Sequence, residues 1–157
     1  MNLAVLGDVP GRKFKKMEGG QSPVIVVQEF LLAVGACPLD DELKNEHSQT
    51  RTWRVKIPNV AALTVELENF QKGSDSILTL SFPLVMVSIK DTLAALIAAL
   101  ELSRPLVGCR LYLDGNQLVI AASLCGDVLS IESLRMHYEL IKAQRELLIR
   151  SLHKYRV

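Results

Sequence analysis

Between Cys109 and Leu124 the chain alternates apolar and polar residues, turns on Asp114-Gly115-Asn116, and alternates again. This unit constrains the fold more than any other stretch, because a turn of that composition closes a tight β-hairpin, for which a type I′ turn is expected. It is flanked by helical periodicity on both sides. The order from Ser88 to Tyr155 is therefore helix, hairpin, long helix. A lone hairpin cannot bury its apolar face, so more strands must join it and helices must cover it.

Those strands are legible upstream. In Arg51–Ile57, Trp53, Val55 and Ile57 alternate with Thr52, Arg54 and Lys56. In Ala61–Glu68, Leu63, Val65 and Leu67 alternate with Thr64, Glu66 and Glu68. Period two places one set inward and one outward. An antiparallel pair would set Arg54 and Lys56 across from Glu66 and Glu68. Lys72-Gly73-Ser74 marks a turn, and Ile77–Phe82 reads as a third strand, with Pro83 at a strand end or bulge.

Three helices complete the pattern. Ser22 and Pro23 suit an N-cap and a first helical position, and Gly35 suits a left-handed helix stop. Ser88 opens the second helix, with Asp91 in capping-box position. Along it Leu93, Leu96, Ile97 and Leu100 recur at helical spacing, while Ala94, Ala95, Ala98 and Ala99 let a neighbour approach closely. Ser130 caps the last helix. Ile131, Leu134, Tyr138, Ile141, Leu148 and Leu152 form one stripe there, and Met136, Leu140, Ala143 and Leu147 widen it. Either the other helices cover that excess or a partner does.

Residues 1–21 read as a flexible basic N-terminal arm, carrying Arg12, Lys13, Lys15 and Lys16 among glycines, and 22–157 as a single α+β domain. About half of the residues are apolar and the formal charge is +1, which excludes a disordered chain and disfavours a whole-domain nucleic-acid binder. Cys37, Cys109 and Cys125 are odd in number and widely spaced, so reduced, mostly buried thiols in a cytoplasmic protein are expected. No apolar run is long enough for a membrane span.

The quoted residues also carry a family resemblance. Phe30-Leu-Leu-Ala-Val-Gly35, Leu93-Ala-Ala-Leu-Ile-Ala-Ala-Leu100, Cys109-Arg-Leu-Tyr-Leu-Asp-Gly-Asn116 and Ile131-Glu-Ser-Leu134 occur in an α-β-β-β-α-β-β-α order. That pattern resembles the type III secretion chaperone-like fold shared by secretion chaperones and the YbjN family of suggested sensory transduction regulators. The resemblance spans roughly Pro23 to Tyr155. It implies a twisted antiparallel sheet packed by helices, a protein or peptide client, and a homodimer.

Candidate chemistry is sparse. Gly7–Lys13 lacks the spacing of a phosphate loop, and Phe14 stands where the hydroxyl is needed. Cys125, Asp127 and His137 would need to meet to make an activated thiol, and nothing in their placement brings them together. His47, His137 and His153 lack ligand spacing. Asp40, Asp41 and Glu42, with Glu66 and Glu68, read as solvated charge. Lys142, Arg145, Arg150, Lys154 and Arg156 read as a solvated helix face. The expectation is a non-enzymatic protein-binding or regulatory module without cofactor or metal. Trp53, Leu134, Tyr138, Ile141 and Leu148 are the packing and protein-interface candidates. A secretion chaperone for an effector-type client, and a small enzyme with a site invisible in sequence, are the alternatives.

Overall fold

The computed structural model describes residues 21–38, 49–69, 75–104 and 108–155. The basic cluster at 12–16, the acidic knot at 40–42, His47, the turn at 72–74, Pro105 and Arg156 lie outside the described residues.

The first helix, α1 (Pro23–Ala33), begins with Pro23 in its first turn and ends in a left-handed residue, Gly35 at φ +69°. Ala36 N–H donates to the Leu31 carbonyl at 3.0 Å and Gly35 N–H to that of Leu32 at 3.1 Å, so the helix closes in a Schellman motif. A very short strand, β1 (Cys37–Pro38), follows, and then β2 (Thr50–Lys56), β3 (Ala62–Glu68) and β4 (Ile77–Met86). Next come α2 (Thr92–Ser103), β5 (Cys109–Asp114), β6 (Gln117–Cys125) and α3 (Ile131–Leu152).

The fold is α+β: six antiparallel strands in the order β1-β2-β3-β4-β6-β5, with three α-helices among the described residues. The element order departs from the expected one only by β1, which at two residues leaves no periodicity to read. Leu63, Val65, Leu67, Leu78, Leu80, Phe82, Leu118 and Ile120 are all buried on one face, as the alternation requires. The helix α3 lies over β4 and β6, with α1 and α2 against its flanks. No helix among the described residues is long and apolar enough to cross a membrane.

Two local expectations are corrected, and one alternative is decided. The β2–β3 register sets Glu66 opposite Thr52 and Arg54 opposite Thr64, so the charged residues are offset rather than facing. Of the two readings at Pro83 the bulge holds: β4 runs on through it, with the irregularity between Pro83 and Met86. The hairpin has Gly115 at φ +59° while Asn116 keeps negative φ, which is the type II′ pattern and not I′.

The helix starts differ as well. Ser88 does not cap α2: its hydroxyl donates to Asp91 Oδ2 at 3.0 Å inside the preceding turn, and the helix starts at Thr92. Ser130 does cap α3. Its Oγ accepts from Ser133 N–H at 3.0 Å, and Ser133 Oγ accepts from Ser130 N–H at 2.8 Å.

Candidate functional site: two exposed apolar helix faces and an open strand edge

The interface candidates named from sequence are all inside. Leu134, Tyr138, Ile141 and Leu148 are buried along one stripe of α3, and Trp53 is buried on β2. Tyr138 joins the layers, with its ring 5.7 Å from that of Phe30 on α1 and 6.0 Å from that of Phe82 on β4. Burial pushes its phenol above the ordinary value. Trp53 carries the Arg51 guanidinium over its ring at 5.2 Å.

The α3 stripe has one polar member. Arg145 occupies the slot between Ile141 and Leu148, and its Nε–H donates to the Pro83 carbonyl at 3.2 Å, beside the β4 irregularity. The guanidinium lies 5.9 Å from the Phe82 ring, and desolvation lowers its pKa. It therefore leaves the basic surface set in which sequence placed it. Lys142 is bound to Glu139 at 2.7 Å, which raises its pKa first through that hydrogen bond.

What the α3 core stripe hides, the widening set displays. Met136, Leu140 and Leu147 are exposed, so neither α1 nor α2 covers them. The contrast is sharper on α2. It lays down Ala95 and Ala99, at 1% and 0% exposure, and lifts Leu93, Ile97 and Leu100 into solvent at 71%, 50% and 60%. No charged residue lies between Thr92 and Leu100. Small residues let α2 approach α3 and β5 closely, and its long side chains are then left uncovered among the described residues. Sequence showed both stripes but not which one faces in. The neighbouring edge strand β5 pairs only with β6 among the described residues.

The other sheet face is mixed: Ile77, Val119, Ala121 and Tyr112 lie on it across β4, β6 and β5, beside polar residues. Thr79 and Ser123 hydroxyls bond at 2.9 Å, and Arg54, Lys56, Glu66 and Glu68 stand exposed around them. Two of the thiols expected inside are exposed, Cys37 and Cys125. Cys109 is half-buried, and burial raises its pKa. His137 Nδ1 lies 2.8 Å from the Ser133 carbonyl, its own helix, rather than at a thiol. Among the described residues no group of His, Cys, Asp or Glu has metal-holding placement. No buried side-chain nitrogen or oxygen among them lacks a partner. A shallow depression of about 310 Å³ lies between Val34, Pro58 and Tyr138, and Glu139 and Lys142 on its rim neutralise one another.

The fold and surface thus define a one-sheet α+β domain with apolar helix faces left open. No family model matches the chain, and no curated protein does. Among solved structures it is similar to an uncharacterized protein from Methanothermobacter thermautotrophicus, known from a crystal structure. The likeness has a TM-score of 0.58 at 14% identity, covering 84% of this chain and 97% of that one. It bears on the fold alone.

Proposed function

We propose that this protein is a non-enzymatic protein-binding and assembly module of the chaperone-like, YbjN-like kind, working as a homodimer with a protein or peptide client. One observation carries the reading: α2 and α3 both leave long aliphatic side chains in solvent, while no buried side-chain nitrogen or oxygen among the described residues lacks a partner. Apolar faces on rigid helices hold other polypeptides by removing that surface from water. The order of the larger elements, α-β-β-β-α-β-β-α once β1 is set aside, is what supports the chaperone-like assignment. Unbridged thiols, two of them exposed, fit a reducing compartment, and the cytoplasm is the proposed location.

A photoreactive side chain placed at Ile97 on α2, and another at Leu147 on α3, test the proposal in native extract. Both are expected to cross-link to polypeptide, while the same probe at Lys56 on the other sheet face stays unlinked. Probes at Ile97 and Leu147 that capture no polypeptide would overturn it.

A further inference from the structure

The depression beside Tyr138 is built from three separate parts of the chain. The end of α1 supplies Val34, next to the Schellman closure at Gly35. The connection from β2 to β3 supplies Ile57, Pro58 and Val60. There Val60 N–H donates to the Ile57 carbonyl at 3.2 Å, and Ile57 N–H to that of Ala61 at 2.9 Å. Pro58 stands second in this turn and Asn59 third, at φ +61°, which is the type II arrangement. Helix α3 supplies Arg135, Tyr138, Glu139 and Lys142. At about 310 Å³ the space is at the small end of ligand sites, and two of its walls are closed turns, which limits the ordering needed around a ligand.

The polar groups of this lining are not all spoken for. Glu139 and Lys142 hold one another at 2.7 Å. Arg135 is exposed one turn before Glu139, and it makes no ion pair or hydrogen bond among the described residues. The lining therefore carries one unpaired positive charge. Tyr138 is only 3% exposed, yet its hydroxyl makes no hydrogen bond among the described residues either. No side-chain oxygen among them is both buried and unpartnered, so this hydroxyl keeps a contact with solvent, and the depression is the open space that Tyr138 lines. Burial raises the phenol pKa, which keeps its hydrogen in place to donate. Arg135 and Tyr138 are three residues apart and so neighbours on the helix surface.

An apolar floor, one unpaired cation and one unused donor specify an occupant. We infer that this depression binds an aliphatic carboxylate, its carbon chain on Val34, Ile57, Pro58 and Val60 and its carboxylate between the Arg135 guanidinium and the Tyr138 hydroxyl. Ile57 is buried and Val34 and Val60 are half-buried, so the carbon chain completes an apolar surface already partly withdrawn from water. The carboxylate accepts from both donors at once, and charge-assisted bonds of this kind are the stronger sort. A neutral ligand would leave Arg135 unpaired, and a cation would be repelled by it. No residue of α2 lines the site, nor do Met136, Leu140 or Leu147, so the inference stands apart from the protein-binding reading. A free branched acid and the C-terminal residue of a polypeptide offer the same chemistry, and the test separates them.

Amide resonances of the isotope-labelled full chain, followed during titration, supply that test. Isocaproate and N-acetyl-leucine share an isobutyl end and a carboxylate, whereas N-acetyl-leucinamide lacks the charge. Both acids are expected to shift the amides of Val34, Ile57 and Val60 saturably, with a dissociation constant on the order of 1 mM, and the amide should bind about tenfold more weakly or worse. Isocaproate binding at least as tightly as N-acetyl-leucine assigns a free acid as the ligand. The reverse order assigns a chain terminus, and the site holds in either case. Arg135→Gln should weaken both acids about tenfold or more, and Tyr138→Phe, which keeps the ring in the core, about threefold to tenfold. Arg150→Gln, outside the site, should change neither. Absence of saturable shifts at about 50 mM acid overturns the inference. So does equal binding of the uncharged amide, or an affinity indifferent to Arg135→Gln. A Tyr138→Phe variant that binds as tightly as the unaltered chain overturns the placement of the carboxylate.

Discussion

Helices α2 and α3 lie on the same sheet and touch each other, yet they use opposite economies of side chain. The longer one buries leucine, isoleucine and tyrosine and exposes a mixed face. The shorter one buries Ala95 and Ala99 and exposes Leu93, Ile97 and Leu100. Burying a leucine stabilises by about 1.5–3 kcal/mol, and burying an alanine contributes far less. Helix α3 therefore carries more of the domain's stability, whereas α2 gives up much of that gain. Core burial and apolar display are divided unequally between two neighbouring helices, since α3 also displays Met136, Leu140 and Leu147.

Substitutions can break or sharpen that separation when unfolding in urea is followed at one low protein concentration, where association contributes little. The largest effect belongs to Tyr138→Ala, expected to cost about 3–5 kcal/mol because it empties the junction of α1, α3 and β4. Leu100→Ala on α2 should stay within about 0.5 kcal/mol, and an equal loss at both positions would abolish the contrast. Next, Ala99→Leu should destabilise by about 1–3 kcal/mol by forcing α2 off its close seat, while Ala94→Leu on the exposed side should not.

Arg145→Ala is expected to cost about 1–3 kcal/mol, since the Pro83 carbonyl loses its donor. Removing the α3 cap with Ser130→Ala should cost about 1 kcal/mol. The smallest effect is chemical. Thiol labelling should reach exposed Cys37 and Cys125 before Cys109, which is half-buried with its pKa raised, so that its labelling requires higher pH than an open thiol would. In stability terms that raised value gives a contribution present below the unfolded thiol pKa and lost as pH rises through the folded one.

Much of this was readable in the sequence, and the exceptions have physical causes. Alternation announced β2, β3, β5 and β6, because a one-residue slip in any of them would turn a leucine or valine set outward. Gly35, Ser130 and the Gly115 turn announced the ends of elements because backbone geometry at those points admits few residues. The phase of α2 was not legible. Its alanine and leucine stripes are both apolar, and only the closeness of α3 and β5 decides between them. Arg145 reads as surface charge in the sequence because a stripe of apolar residues gives no sign that one slot faces a backbone carbonyl beside a strand irregularity. Leu134, Tyr138, Ile141 and Leu148 form the regular stripe of α3 and Trp53 lies on the dry face of β2, and such regular sets are what the core uses first. The exposed partners Met136, Leu140 and Leu147 were the less regular set. The α2 cap signals also mislead, since Ser88 and Asp91 satisfy each other before the helix begins.

The contact of Arg145 with Pro83 has one more consequence. A helix lying on a sheet by aliphatic contact alone can slide along its axis by a turn, about 5.4 Å, and find a similar fit. Here such a slide in either direction would present Ile141 or Ile149 to the Pro83 oxygen, and neither has a hydrogen to donate. The guanidinium acts as a detent: it indexes the long helix to a single axial position on the strands, and with it the spot on the molecule where Met136, Leu140 and Leu147 are displayed.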